Sequence, residues 1–405
     1  MGKYTYIGGD YFENIGGSKI VYVKGNNETH SNGQIIQTAE KGISFGEPKD
    51  PPVKESEVDI KVIKTDFLPF GIANFKGEKE NDIIKFEILS KKGIAQNLTF
   101  YVKHDGKIIF KKKIDETLNV GEKKIIEWNG FSDAKIYDSS LFIDGKLTAE
   151  VTGATNEVKV KIDAKYDVVE WVDIKIDDNS KKINATLRIN LKEADIQKTV
   201  NKTFEDLLSI SLNGLKNYWG RNQTRIIGNS IQIKGLGYEV FIDPINFEER
   251  SMPKLNVYAS TEKYGRSRNW WASRKLFYNH GESYNIYDEV SKKYPNRVKS
   301  ISKSEGSVKD DKNFEHTAAH EIGHEILQAF GGKNNYSYIH KSTSTLLTQE
   351  VKSESKLPIT GEIDLMKYYS DDYYIERDNN NFYGANVADE KDVLGLLWCS
   401  KLEIK

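Results

Sequence analysis

Two imidazoles four residues apart, with a carboxylate beside the first, are the side chains of this chain best spaced for chemistry: His320-Glu321-Ile322-Gly323-His324. On a helix, residues four apart share a face and lie about 6 Å apart along the axis, so both rings can reach one ion. The pattern is HExxH, that of zinc-dependent peptidases. Glu321 sits where its carboxylate can touch water held by that ion. The chemistry expected is hydrolysis of a peptide bond. Zn2+ would lower the pKa of its water, Glu321 would take the proton as general base during attack on a carbonyl, and the metal would hold the oxyanion.

A catalytic zinc takes three protein ligands and keeps one place for water, so a third donor is needed. His316 shares the face of His320 but lies about 12 Å along the axis from His324, too far for all three to meet one ion. His340, sixteen residues beyond His324 and past the Gly331-Gly332 corner, is the preferred third ligand. Glu350 and Glu354 are alternatives if a second helix supplies a carboxylate, and Asp364 and His280 are weaker ones. Tyr368 and Tyr369, with Tyr373 and Tyr374 after them, are candidates for an oxyanion or substrate contact.

The elements that must position these groups follow from periodicity. Ala318, Ala319, Ile322, Ile326, Leu327 and Phe330 give the HExxH segment an apolar face. Asp311 or Asn313 is suited to cap its start and Gly331-Gly332 to stop it, which predicts a helix of about 17 residues, roughly 25 Å long. Gly323 inside it costs about 1 kcal/mol against Ala, a cost tolerable where something approaches closely. A second helix is predicted over Phe204 to Trp219, ended by Gly220, and a last one over about Asp389–Lys401. Short alternating stretches such as Val58–Ile63, Ile84–Ile88, Leu98–Val102 and Val158–Ile162 predict strands, with His104 read as a turn residue beside Asp105-Gly106. From Gly265 to Asn296 the chain reads as aromatic and irregular, and Asn269-Trp270-Trp271 suits either a cleft wall or packing.

Three segments result. Residues 1–56, rich in Gly, Asn, Tyr and Lys, read as a β-hairpin or adaptor segment; 57–165 as a β-sandwich, immunoglobulin-like in its spacing; and 166–405 as an α+β unit carrying HExxH. A further motif bears on that unit. Gly361-Glu362-Ile363-Asp364-Leu365-Met366-Lys367-Tyr368 resembles the Met-turn of metzincin-type zinc endopeptidases, and the chain has only 3 Met, so a match is not idle. The resemblance covers roughly 166–405. It implies a zincin-type catalytic domain with Met366 as a floor beneath the zinc. It departs from the family where Leu327 and Phe330 stand in place of the usual Gly and third His, unless a longer insertion leads to His340. The N-terminal Asp10-Tyr11-Phe12-Glu13 and Ile43-Ser44-Phe45-Gly46-Glu47-Pro48 resemble leaders of contact-delivered toxins of Bacteroidetes-type bacteria, which implies a delivered effector with a delivery or immunity partner.

Composition sets outer limits. With 59 Lys+Arg against 60 Asp+Glu, formal net charge is -1, which gives nucleic acid no electrostatic footing. One Cys, Cys399, excludes an internal disulfide and a Cys-based zinc site. No apolar run approaches the 18 residues of a membrane span, and the first residues lack the apolar core of a signal peptide. The expected location is outside the producing cell by another route, or otherwise the cytoplasm. The expected partner is a protein or peptide substrate, with cell-wall peptide as one form. Two alternatives stand beside the peptidase: a non-enzymatic binding or structural protein with a vestigial metal site, and a peptidoglycan amidase.

Overall fold

The computed structural model of the 405-residue chain describes residues 33, 36, 55–261, 265–270, 272–293, 295–296, 300–332, 341, 351, 355–370 and 379–405. Packing separates Met1–Glu55 from Ser56–Lys405. The strand expected at Ile20–Val23 and both leader-like motifs lie outside the described residues.

Alternation of apolar and polar residues builds the first part of this unit. In Ile84–Lys92, the side chains of Ile84, Phe86 and Ile88 are fully buried while Lys85 faces water, as period two requires. This strand lies between Glu57–Ile63 and Lys123–Trp128, antiparallel to both. A four-stranded antiparallel sheet runs Lys107–Ile114, Leu98–His104, Leu147–Thr152, Val158–Lys161. Aromatic rings join the two sheets: Phe86 meets Phe100 at 4.9 Å and Phe110 meets Trp128 at 6.1 Å. His104 ends its strand and opens the expected turn, pairing with Lys107 across Asp105-Gly106, and its Nε2 is 2.7 Å from Asp144 Oδ2.

The second part is a set of mixed sheets with helices. Lys182–Ile189 and Leu236–Asn246 run parallel at the centre of a five-stranded sheet. Its far edge is Ile136–Asp138, contributed by the first part of the chain. A four-stranded sheet orders Leu191–Ile196, Leu255–Ser260, Ser273–Asn279 and Arg268–Trp270. The first three strands are parallel, and the last turns back antiparallel at the edge. The segment expected to be irregular therefore holds two strands, followed by the helix Glu282–Lys293. Its aromatics pack against neighbours, as Phe277 does on Tyr258 at 4.8 Å. The strand Leu402–Ile404 pairs with both Thr65–Phe67 and Ala164–Tyr166. One hydrophobic core runs continuously from Val58 to Ile404.

Phe204–Trp219 forms the helix expected, with Thr203 and Asp206 in a reciprocal capping box. The helix carrying HExxH is longer than expected. It spans Lys303–Gly331, 29 residues, and starts at Ser302, whose hydroxyl accepts from the Glu305 N–H while Glu305 accepts from the Ser302 N–H. Asp311 and Asn313, expected as caps, lie inside it. There they bond outward instead, Asp311 to Lys202 and Tyr278 and Asn313 to Glu282. The two helices touch where a Cβ on Gly214 would come 2.2 Å from the Glu315 carbonyl oxygen. Among the described residues, no helix is long and apolar enough to cross a membrane.

Candidate functional site

The site is built on the C-terminal half of the long helix. His320 and His324 face the same way, their ring centroids 5.0 Å apart and nearly perpendicular. Both are buried, at 8% and 6% exposure. His320 Nδ1 donates to the Leu365 carbonyl at 2.7 Å, which sets its tautomer and ring plane, and Tyr368 stacks on the other side at 5.8 Å. A backbone bond of this kind is what orients metal-ligating histidines in general. Burial lowers the affinity of His320 for a proton, the Leu365 bond partly offsetting it.

Beneath the helix lies the turn at 363–369. Leu365 N–H donates to Val387 and Met366 N–H to Asp364 Oδ1. This holds Met366, 1% exposed, against the one glycine of HExxH. A Cβ on Gly323 would fall 2.7 Å from both Met366 Sδ and Trp219 Cζ2. The helix-weakening glycine is thus explained by close approach. Trp219 is held in place by its Nε1–H, which donates to the Ala319 carbonyl at 3.1 Å.

Above the helix runs the edge strand Arg268–Trp270. Asn269, 6% exposed, donates to the Glu321 carbonyl at 2.9 Å, while Trp270 is 42% exposed. Burial raises the Glu321 carboxyl to about 8, with Arg266 and Arg268 pulling in the opposite direction. Arg274 bonds Glu325 at 2.9 Å across the back of the helix. Sequence reasoning missed the contributions of Trp219, Arg266 and Arg274. Only the Arg-x-Arg of 266–268 beside an aromatic run hinted at one of them.

The other candidates scatter. His316 sits among the rings of Tyr218, Phe382 and Tyr383. Burial first, and then proximity to His320, lowers its pKa to about 4. His280 lies beside Asp310, ten helix positions from His320, or about 15 Å along the axis. Asp364 is engaged on both oxygens, by Met366 N–H and by the Lys341 ammonium at 2.7 Å, and Lys341 also pairs with buried Asp392 at 2.8 Å. The Tyr369 hydroxyl accepts the Asp364 N–H. His340, Glu350, Glu354, Tyr373 and Tyr374 lie outside the described residues.

These positions correct the expected zinc centre. Among the described residues, no group of three or more His, Cys, Asp or Glu is placed to hold a metal ion. Among the described residues the donors at the motif are the imidazoles of His320 and His324, two where a catalytic zinc takes three. With it go the Zn2+ cofactor and the zinc-dependent endopeptidase. No protein-family model and no curated protein matches the chain. The metzincin resemblance is corrected on the same metal-ligand grounds.

Proposed function

We propose that this chain is a non-enzymatic binding or structural protein in which the HExxH helix persists as a packing element around a vestigial metal site. Among the described residues, no group of three or more His, Cys, Asp or Glu is placed to hold a metal ion, which supports the reading. The burial of the motif supports it. His320 is tied to Leu365, Gly323 is filled from below by Met366 and Trp219, and Asn269 is tied to the Glu321 carbonyl. Each ties the helix to a different element, so the motif is useful to the fold without chemistry. The sheets of 57–165 are read in the same way as an immunoglobulin-like sandwich, a frame suited to presenting loops to a protein partner.

The test is direct. The full chain is mixed with one equivalent of Zn2+ and incubated with casein and, separately, with purified cell wall, and the products are read by mass spectrometry. The parent chain and Glu321→Gln are expected to leave both substrates intact. Cleavage by the parent that Glu321→Gln abolishes would overturn the reading and restore hydrolysis as the function.

A further inference from the structure

A hollow of about 220 Å³ lies away from the HExxH helix, where residues from both parts of the unit converge. The rings of Phe70, Phe131 and Tyr238 wall it, and Lys135, Lys181 and Lys234 rim it. Phe70 touches both other rings, at 5.3 Å and 5.2 Å. Leu236, 49% exposed, leaves a further apolar surface open on one side.

The backbone around this hollow is unusual. Among the described residues, eight non-glycine residues take positive φ, and four of them line it: Phe70 at 66°, Lys135 at 61°, Lys181 at 55° and Lys234 at 52°. Each lysine belongs to a different turn, Lys234 at the tip of one and Lys135 and Lys181 at the last position before a strand. Lys234-Gly235 is a two-residue hairpin loop joining Ile231–Ile233 to Leu236–Asn246, where Asn-Gly is the favoured pair. A left-handed conformation disfavours a long side chain, and strain of this kind collects at functional sites. Turn formation alone calls for Gly or Asn at these positions, and lysine at all three brings ammonium groups to one place.

The charges are arranged to leave one cation over. Lys181 pairs with Asp178 and Lys234 with Asp82, at 2.5 Å and 2.8 Å, and each ammonium also lies over a ring, Tyr238 and Phe70 respectively. Tyr238 donates its hydroxyl to Asp178. Among the described residues, the Lys135 ammonium enters no ion pair; burial would raise the Asp178 carboxyl, but bonds from Lys181 and Tyr238 outweigh it and hold it low, and Lys135 adds a smaller pull in the same direction. The lining therefore has three ammonium groups against two carboxylates.

We infer that this hollow binds a small single-ring anion, a ring carrying one phosphate, with the ring against Phe70 and the exposed Leu236 and the anion at Lys135. The volume suits it: a cavity of about 150 Å³ accepts benzene, which leaves space for one charged substituent. Aromatic walls with a few convergent polar groups are the usual composition of such sites. The inference is independent of the reading of the HExxH helix.

The experiment titrates the full chain calorimetrically with phenyl phosphate, glucose 6-phosphate and inorganic phosphate at low salt. It uses the parent, Lys135→Gly and Lys234→Asn. Both replacements suit their backbone better than lysine does, so their thermal midpoints are expected at or above the parent's. Binding of a ring-bearing phosphate is expected in the parent and at least tenfold weaker in Lys135→Gly. Preference for phenyl phosphate assigns an aromatic ligand, and preference for glucose 6-phosphate a sugar. Failure of both to bind at millimolar concentration, affinity unchanged in Lys135→Gly, or inorganic phosphate binding as tightly as either, would overturn the inference.

Discussion

At Gly323 a single added methyl sets two effects against each other. Alanine gains about 1 kcal/mol of helix propensity. Its Cβ would meet Met366 and Trp219 at 2.7 Å, and overpacking of a closed core costs about 1–3 kcal/mol. Because Trp219 is fully buried and Met366 nearly so, the neighbours have little room to yield. Gly323→Ala is expected to lose stability on balance, read as a lower urea midpoint with unchanged slope. A second residue controls acid behaviour. Burial would raise the Asp173 carboxyl, but hydrogen bonds from Arg188 and Tyr166 outweigh it and hold its pKa below the usual carboxylate range. A group depressed in the folded state contributes fully above its unfolded pKa of about 3.9, and that contribution is lost as pH falls through the folded value. Stability measured by urea unfolding from pH 7 downward is therefore expected to drop below about pH 4, and less steeply in Asp173→Asn.

Among the elements, the long helix is best suited to test how its start is specified. Ser302 and Glu305 form the reciprocal cap, eleven residues upstream of Asn313. Ser302→Ala is expected to cost about 1 kcal/mol, read by denaturant titration, while Asn313→Ala should leave helix content by circular dichroism unchanged. The apolar face was legible from Ala318 to Phe330 because period 3.6 is strong there. The first turns were not, because Lys303–Asn313 is mostly polar and its burial is local: Asp310, 3% exposed, accepts from the backbone of Gly281 and Ser283. No sequence pattern announces a partner thirty residues away. The edge strand Arg268–Trp270 was missed for a related reason, since three residues are too few to display alternation.

The whole unit is closed by its last strand. Leu402 and Ile404 are fully buried, and the strand between them bonds to residues near both ends of the first part. Burying two such side chains contributes about 1.5–3 kcal/mol each. Deletion of residues 402–405 is expected to lower stability by several kcal/mol and to lower the midpoint for the entire Ser56–Lys405 unit. The check is to follow near-ultraviolet dichroism and tryptophan fluorescence together. If the first part kept its own midpoint while the second fell, the shared core would not be cooperative.

The amino-acid sequence by itself determined the local elements: the strand alternation of Ile84–Ile88, the helix from Phe204 to Trp219, and two histidines on one helical face. Those depend on neighbours within a few positions, where side-chain period and capping chemistry act directly. It also pointed to a glycine that something must approach. Only the tertiary structure decided what approaches it and how three lysine-bearing turns come together around aromatic rings. These depend on contacts between residues tens to hundreds of positions apart, which packing of the assembled sheets creates and no local pattern encodes.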